Sequence, residues 1–111
     1  MKKFMALYMA NRSAIDKMMK APPDEMKAGM EAWTAWDKAN KKSIAELGAP
    51  LGKTKRITGK GMSDTTNEIT GYSFVEGDSF ESVSKIFKGH PHLQHPGTSI
   101  DILEVMPLPG M

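Results

Sequence analysis

The chain contains no cysteine. Disulfides, thiolate nucleophiles and cysteine-based zinc sites are therefore excluded. It also lacks any apolar run near the ~20 residues that a membrane-spanning helix needs. Charge of one sign is missing too: the net charge is +2, with charged residues at 25%. That balance gives no basic or acidic footprint demanding nucleic acid or a membrane surface, and the charged fraction is ordinary for a folded protein. Histidine is absent before position 90. The amino-terminal Lys2-Lys3 ahead of Phe4 to Ala10 imitates an export signal. The apolar run is short, and polar Asn11 and Arg12 follow it without a cleavage site. A first strand is the better reading, and the cytoplasm is the expected location.

What is present fits one domain spanning residues 1–111, since single cores run to ~100–200 residues. Apolar residues make up 40% of the chain, enough for a core of that size. Phe4 to Met9 is a short apolar run, long enough for a buried strand and too short for a helix. Ser13 and Asp16 have capping-box spacing, which predicts a helix from Ala14 to about Lys20, stopped by Pro22 and Pro23.

The longest pattern, Asp24 to Leu47, is rich in Ala, Met, Glu, Lys and Leu and opens with acids in its first turn. Gly48 and Pro50 supply the stop, and the spacing predicts one long helix with Met26, Met30, Trp33, Ile44 and Leu47 inward. Thr54 to Thr58 and Glu68 to Glu76 read as strands around a Gly59 to Asn67 loop. Asp78 and Glu81 open a helix from Ser79 to about Lys88, closed by Gly89. A loop from His90 to Gly97 leads to a last strand, Ser99 to Met106.

The order strand, helix, strand, strand, helix, strand predicts an α+β, ferredoxin-like βαββαβ fold with an antiparallel sheet. Such a sheet buries one face under its helices. Here Met5, Leu7 and Met9 alternate with Phe4, Ala6 and Tyr8, while Tyr72 and Phe74 alternate with Ile69 and Val75. Both faces are half apolar or more, so the second face needs a partner. Sheet-to-sheet homodimerisation supplies it most simply, and a ligand-binding sheet is the competitor.

Chemistry-bearing residues are few. At ~100° per residue, Asp37 and Asn40 fall within about 40° and 20° of Trp33. A carboxylate on an apolar stripe needs a partner, so either the pair lines a pocket beside Trp33 or the helix end is wet. His90, His92 and His95 cluster in one loop. Metal binding is one reading, since imidazoles at close spacing suit Zn²⁺ or Ni²⁺, but they match no standard zinc spacing, and no metal or cofactor is expected. Acid–base work suits imidazole near neutrality. His92 is the candidate general acid/base, with Asp37 to orient it and Asn40 to hold a substrate oxygen. Trp33, His90 and Tyr8 are the expected lining. The competing reading makes the loop's histidines plain caps on the helix before it.

Lys53, Lys55, Arg56 and Lys60 form a basic stretch that could attract an anion or protect a strand edge. Gly48 to Thr54 imitates a phosphate loop but follows a helix and precedes a strand, the reverse of what that loop needs. Gly71 to Glu76 and Leu7 to Asn11 imitate the paired aromatic motifs of RNA-recognition domains. They lie 64 positions apart, no basic residue precedes Gly71, and the charge is nearly neutral, so nucleic acid is not the expected partner.

The runs Gly48-Ala-Pro-Leu-Gly-Lys-Thr-Lys55, Asn67-Glu-Ile-Thr-Gly-Tyr-Ser-Phe-Val-Glu76, Gly89-His-Pro-His-Leu93 and Ser99-Ile-Asp-Ile-Leu-Glu-Val-Met-Pro107, with the Trp33/Trp36 segment, resemble the YCII-related family over nearly the full length. The resemblance implies a dimeric α+β barrel in which two ferredoxin-like sheets face each other. It implies a small organic ligand and, in some members, a His–Asp pair in the pocket, with a lactone handled by one relative. His92 looks like the family histidine of this subgroup. Members with the proposed pair carry their histidine near the first helix, where this chain has none. The expected function is acid–base chemistry on a small molecule, such as isomerisation, elimination or a lactone-type reaction. The alternative is a non-catalytic ligand-binding or interaction module.

Overall fold

Backbone pairing builds the molecule around β1, Lys2–Ala10, in a computed structural model that describes residues 1–110. β1 is central because β5, Ile69–Gly77, and β6, Thr98–Glu104, pair antiparallel on its two sides. β2, Ile44–Glu46, completes the sheet on the outer side of β5, giving the order β2-β5-β1-β6. That is the ferredoxin-like strand order, and the antiparallel α+β architecture follows from it. Among the described residues no helix is long and apolar enough to cross a membrane.

Parity along β1 decides the layers. Phe4, Ala6, Tyr8 and Ala10 are buried, and Met5, Leu7 and Met9 between them are half-buried on the other face. In β5 the buried set is Gly71, Ser73, Val75 and Gly77, with Tyr72 and Phe74 opposite. α2, Pro23–Ala39, and α3, Phe80–Phe87, cover the first face through Trp36, Val83 and Phe87. Gly77 lets α3 sit close, since a Cβ there would stand 2.7 Å from Val83 Cγ2. Among the described residues α2 and α3 leave the second face uncovered. It presents Met5, Leu7, Met9, Tyr72, Phe74 and exposed Leu103.

Several boundaries differ from the sequence expectation. The first helix is α1, Arg12–Met19, and its cap is Asn11, whose Oδ1 accepts from Ala14 N at 2.8 Å, not Ser13. The long helix ends at Ala39 instead of Leu47. The Asn40 side chain donates to the Trp36 carbonyl and its backbone N–H takes the same acceptor, closing the last turn. Free of the helix, β-branched Ile44 pairs with Val75 as β2. The inward stripe is therefore Trp33 and Trp36, while Met26 and Met30 stay exposed.

α3 is capped by Ser79 reciprocally with Ser82, not by Asp78 and Glu81, because the short hydroxyls reach the facing N–H groups at 3.1 Å. β3, Thr54–Thr58, does not join the sheet. It pairs with β4, Gly61–Thr65, in a separate two-stranded ribbon, and β4 occupies most of the expected loop. The ribbon stretches the molecule into a slab of 49 × 44 × 18 Å with a radius of gyration of 15.7 Å. A compact chain of this length has about 13 Å.

Candidate functional site

A sealed histidine–aromatic cluster lies under the helices, and an open cleft with polar lining lies beside α1. The cluster is assembled where α3 ends. His90 N–H donates to the Phe87 carbonyl at 3.0 Å, and a single 3-10 turn, Pro91–Gln94, follows. This turn brings the His92 backbone N–H to His90 Nδ1 at 3.0 Å. Nδ1 is thus an acceptor, and the His90 proton sits on Nε2.

Nε2 is buried without a hydrogen-bond partner among the described residues. The rings of Trp33 and Trp36 stand edge-to-face to His90 at 4.4 and 4.5 Å between centroids. Burial, and secondarily the neighbouring His92, push the His90 imidazole down to about 4. It is neutral at pH 7. His92 Nε2 lies 2.8 Å from the Met9 carbonyl, so this nitrogen carries the proton. Burial also lowers the His92 pKa, with the Met9 and Ser99 carbonyls working against the shift and His95 adding to it.

Tyr8 sits at the centre of the cluster, against Trp33 at 4.6 Å, His90 at 5.2 Å and His92 at 5.4 Å. Its hydroxyl is committed. Ser73 donates to the Leu47 carbonyl at 2.6 Å, which leaves Ser73 Oγ to accept from the Tyr8 hydroxyl at 2.8 Å. Burial raises the Tyr8 phenol to about 12, opposed by the Ser73 hydrogen bond. This relay ties the segment after β2 to the two central strands.

The structure brings together four of the expected residues, Tyr8, Trp33, His90 and His92, and leaves Asp37 and Asn40 apart from them. Asn40 spends its amide on capping α2. Asp37 is half-buried and makes no hydrogen bond or ion pair with either histidine among the described residues. The expected orientation of His92 by Asp37 is corrected: the Met9 carbonyl holds that ring. Trp36 takes the buried position on the last turns of α2, and Asp37 beside it is half-buried. The expected opening between sheet and long helix is filled by rings, with His90 at 0% exposure. Among the described residues no three His, Asp or Glu side chains form a metal cage.

Open space lies instead between α1, the base of the β3–β4 ribbon and the start of β5, in a cleft of about 840 Å³. Ile15, Met18, Leu51 and Ile69 give it an apolar floor. Arg12, Lys53 and Lys55 stand among its lining residues with Asp64 as the one acid. Lys55 is ion-paired with Asp64, and Arg12 lies 3.7 Å from Asp16. Lys53 has no acidic partner among the described residues. The basic stretch was visible in the sequence. The wall was not, because Gly59 to Asn67 reads as a loop and hides β4.

No family model and no curated protein matches the chain. Among solved structures it is similar to a 5-chloro-2-hydroxyhydroquinone dehydrochlorinase from Burkholderia phenoliruptrix, determined in complex with 2,5-dihydroxybenzoquinone. The identity is 16%, the TM-score 0.48, and the match covers 89% of this chain and 90% of that one.

Proposed function

We propose that the protein is a cytoplasmic homodimer that handles a small organic anion with an apolar body in the cleft beside α1. One observation carries this reading: an apolar floor bordered by Arg12, Lys53 and Lys55 with a single acid, Asp64. An apolar pocket with a few convergent charges holds the body of a ligand by burial and orients it by its charged end. The homodimer rests on the uncovered sheet face, where Leu7, Tyr72 and Phe74 share one apolar surface. Nucleic acid has little to bind on such a face, which lacks a basic stripe.

Titration with benzoate as the probe, read by amide chemical shifts and calorimetry, tests the cleft. Shifts should gather at Arg12, Ile15, Lys53 and Thr70. Lys53→Ala and Arg12→Ala should each weaken binding by about five- to tenfold, the worth of one charge-assisted contact at a partly open site. Unchanged affinity in both variants refutes the reading.

A second reading keeps acid–base catalysis at the histidines, and the unpartnered Nε2–H of His90 favours it. A neutral imidazole that donates from Nε2 can hydrogen-bond a carbonyl oxygen and stabilise developing negative charge. The helices must part to admit a substrate, with His92 as acid/base and Asp37 and Asn40 reached only in that opened state. Turnover of a lactone panel, abolished by His92→Ala and His90→Asn, supports it. Binding without turnover leaves the protein a ligand-binding module.

A further inference from the structure

The geometry points to a ligand with two acidic groups, one at each end of its apolar body, held by Arg12 at one end and Lys53 at the other. This inference deepens the cleft reading proposed above and rests on it.

The start of β5 fixes where the two cations stand. On one side of it runs β1, with Met9 opposite Ile69 and Ala10 N–H donating to the Glu68 carbonyl at 2.9 Å. On the other side runs the chain after β2, with Pro50 bridged to Gly71 and Leu51 N–H donating to the Thr70 carbonyl at 3.0 Å. Both neighbours are antiparallel to β5, so both leave it at the same end. The first continues through Asn11 into Arg12, the second through Gly52 into Lys53. Two strand spacings of ~4.8 Å separate such flanking chains, so the two cationic side chains start about 10 Å apart. Ile69, on the strand between them, belongs to the cleft floor.

Charge decides what fits this spacing. Of the charged residues lining the cleft, Lys55 and Asp64 neutralise each other across the ribbon. Arg12 and Lys53 remain. Asp16 meets Arg12 only through Nε, at 3.7 Å, with both side chains more than half exposed, a contact that water screens and a ligand can replace. Lys53 has no acidic partner among the described residues.

A single carboxylate neutralises one of these cations and leaves the other facing an apolar floor. Two carboxylates on an apolar spacer satisfy both and lay the spacer on Ile15, Leu51 and Ile69. A doubly charged group gathered at one point, such as a phosphate monoester, needs the two cations to converge, which the strand between them opposes. Arg12 and Lys53 are then specificity residues, each selecting an acidic group at its own end.

Four probes built on one ring carry the test: benzoate, terephthalate with its carboxylates para, phthalate with them adjacent, and phenyl phosphate. Calorimetry on the wild type should find terephthalate bound about tenfold more tightly than benzoate, the worth of one further charge-assisted contact at a partly open site. Phthalate and phenyl phosphate, whose charges sit at one end, should stay within about threefold of benzoate. Amide shifts induced by terephthalate should appear together at Arg12 and Lys53.

In Lys53→Ala and in Arg12→Ala the preference for terephthalate over benzoate should vanish, because the carboxylate at the altered end loses its partner while staying partly desolvated. Lys53→Glu should invert it: para-(aminomethyl)benzoate, with an ammonium in place of the second carboxylate, should then bind about tenfold more tightly than terephthalate. Both residues are exposed, and thermal unfolding should show all three variants folded like the wild type.

Equal binding of benzoate and terephthalate, tightest binding of phthalate or phenyl phosphate, a preference that survives either alanine variant, or an unchanged order in Lys53→Glu would overturn the two-ended assignment and leave the cleft reading standing. Binding of none of the four probes to the wild type would sink both.

Discussion

Acidification should destabilise this protein through one identifiable side chain, His90. In the unfolded chain an imidazole titrates near 6.5, whereas burial against Tyr8, Trp33 and Trp36 pushes the folded His90 down to about 4. Between those two values the unfolded state binds the extra proton, so stability rises with pH across the window. The contribution is fully present above 6.5, falls progressively as pH drops toward 4, and is constant below. At ~1.4 kcal/mol per pKa unit the difference is capped near 3 kcal/mol. Water that reaches the ring as the cluster loosens screens the charge and trims this to about 2 kcal/mol. The His92 shift has the same sign.

Urea unfolding of wild type and His90→Phe at about pH 7, 5.5 and 4 reads it, with the difference between the two proteins removing the carboxylates they share. The variant should start less stable, since the His92 N–H loses its acceptor. Its pH curve should then be flatter by about 2 kcal/mol over the window. Parallel curves, or an NMR titration of the His90 ring centred near 6.5, would refute the reasoning.

Other perturbations give distinct readouts. Trp36→Phe removes the indole N–H that donates to the Ile86 carbonyl at 2.8 Å and thins the packing on Phe87. It should cost about 2 kcal/mol in urea unfolding. Gly48→Ala places a methyl group on the Tyr72 carbonyl at φ +83°, where L side chains are strained. A loss of about 3 kcal/mol, read as a lowered Tm, is expected, and a neutral outcome would contradict the seating of this turn on β5. Leu7→Asp puts a carboxylate on the uncovered sheet face opposite Tyr72. On the proposed homodimer, light scattering should show the variant as a monomer where the wild type scatters as a dimer, with the fold retained by circular dichroism. Ultraviolet titration of Tyr8 should find its phenol ionising only at about 12, because burial outweighs the Ser73 hydrogen bond.

Much of the fold was legible because parity and period are local signals. The alternation Phe4–Met5–Ala6–Leu7–Tyr8–Met9 divided the strand into two apolar sets, and β1 buries one of them, Phe4, Ala6 and Tyr8, under the helices. What failed were the boundaries that depend on partners distant in sequence. Composition carries a helix through Ile44 to Leu47, since Ala, Glu and Leu are good formers there. The helix nonetheless stops at Asn40, and Ile44 gains a ladder position against Val75. No window of local sequence contains Val75. The ribbon was half visible for the same reason. Thr54 to Thr58 has strand chemistry, but Gly61 to Thr65 is strand only by pairing with it.

The site divides along a similar line. Helical geometry put Asp37 near Trp33 and suggested a partner for His92, but His92 Nε2 lies against the Met9 carbonyl and no hydrogen bond joins it to Asp37 among the described residues. The histidine loop could be found by composition, yet its function as a plug could not, because burial of His90 depends on rings from β1, α2 and α3 at once. A neutral imidazole at 0% exposure is held by packing before it is available for chemistry. The cations that meet open space are those of Arg12, Lys53 and Lys55, drawn from a helix start and a ribbon base some forty residues apart. Charge that can reach a ligand and the buried imidazoles thus occupy different places in this chain. Any reaction that needs both must move α2, and the edge contacts of Trp33 and Trp36 on His90 are what that motion has to break.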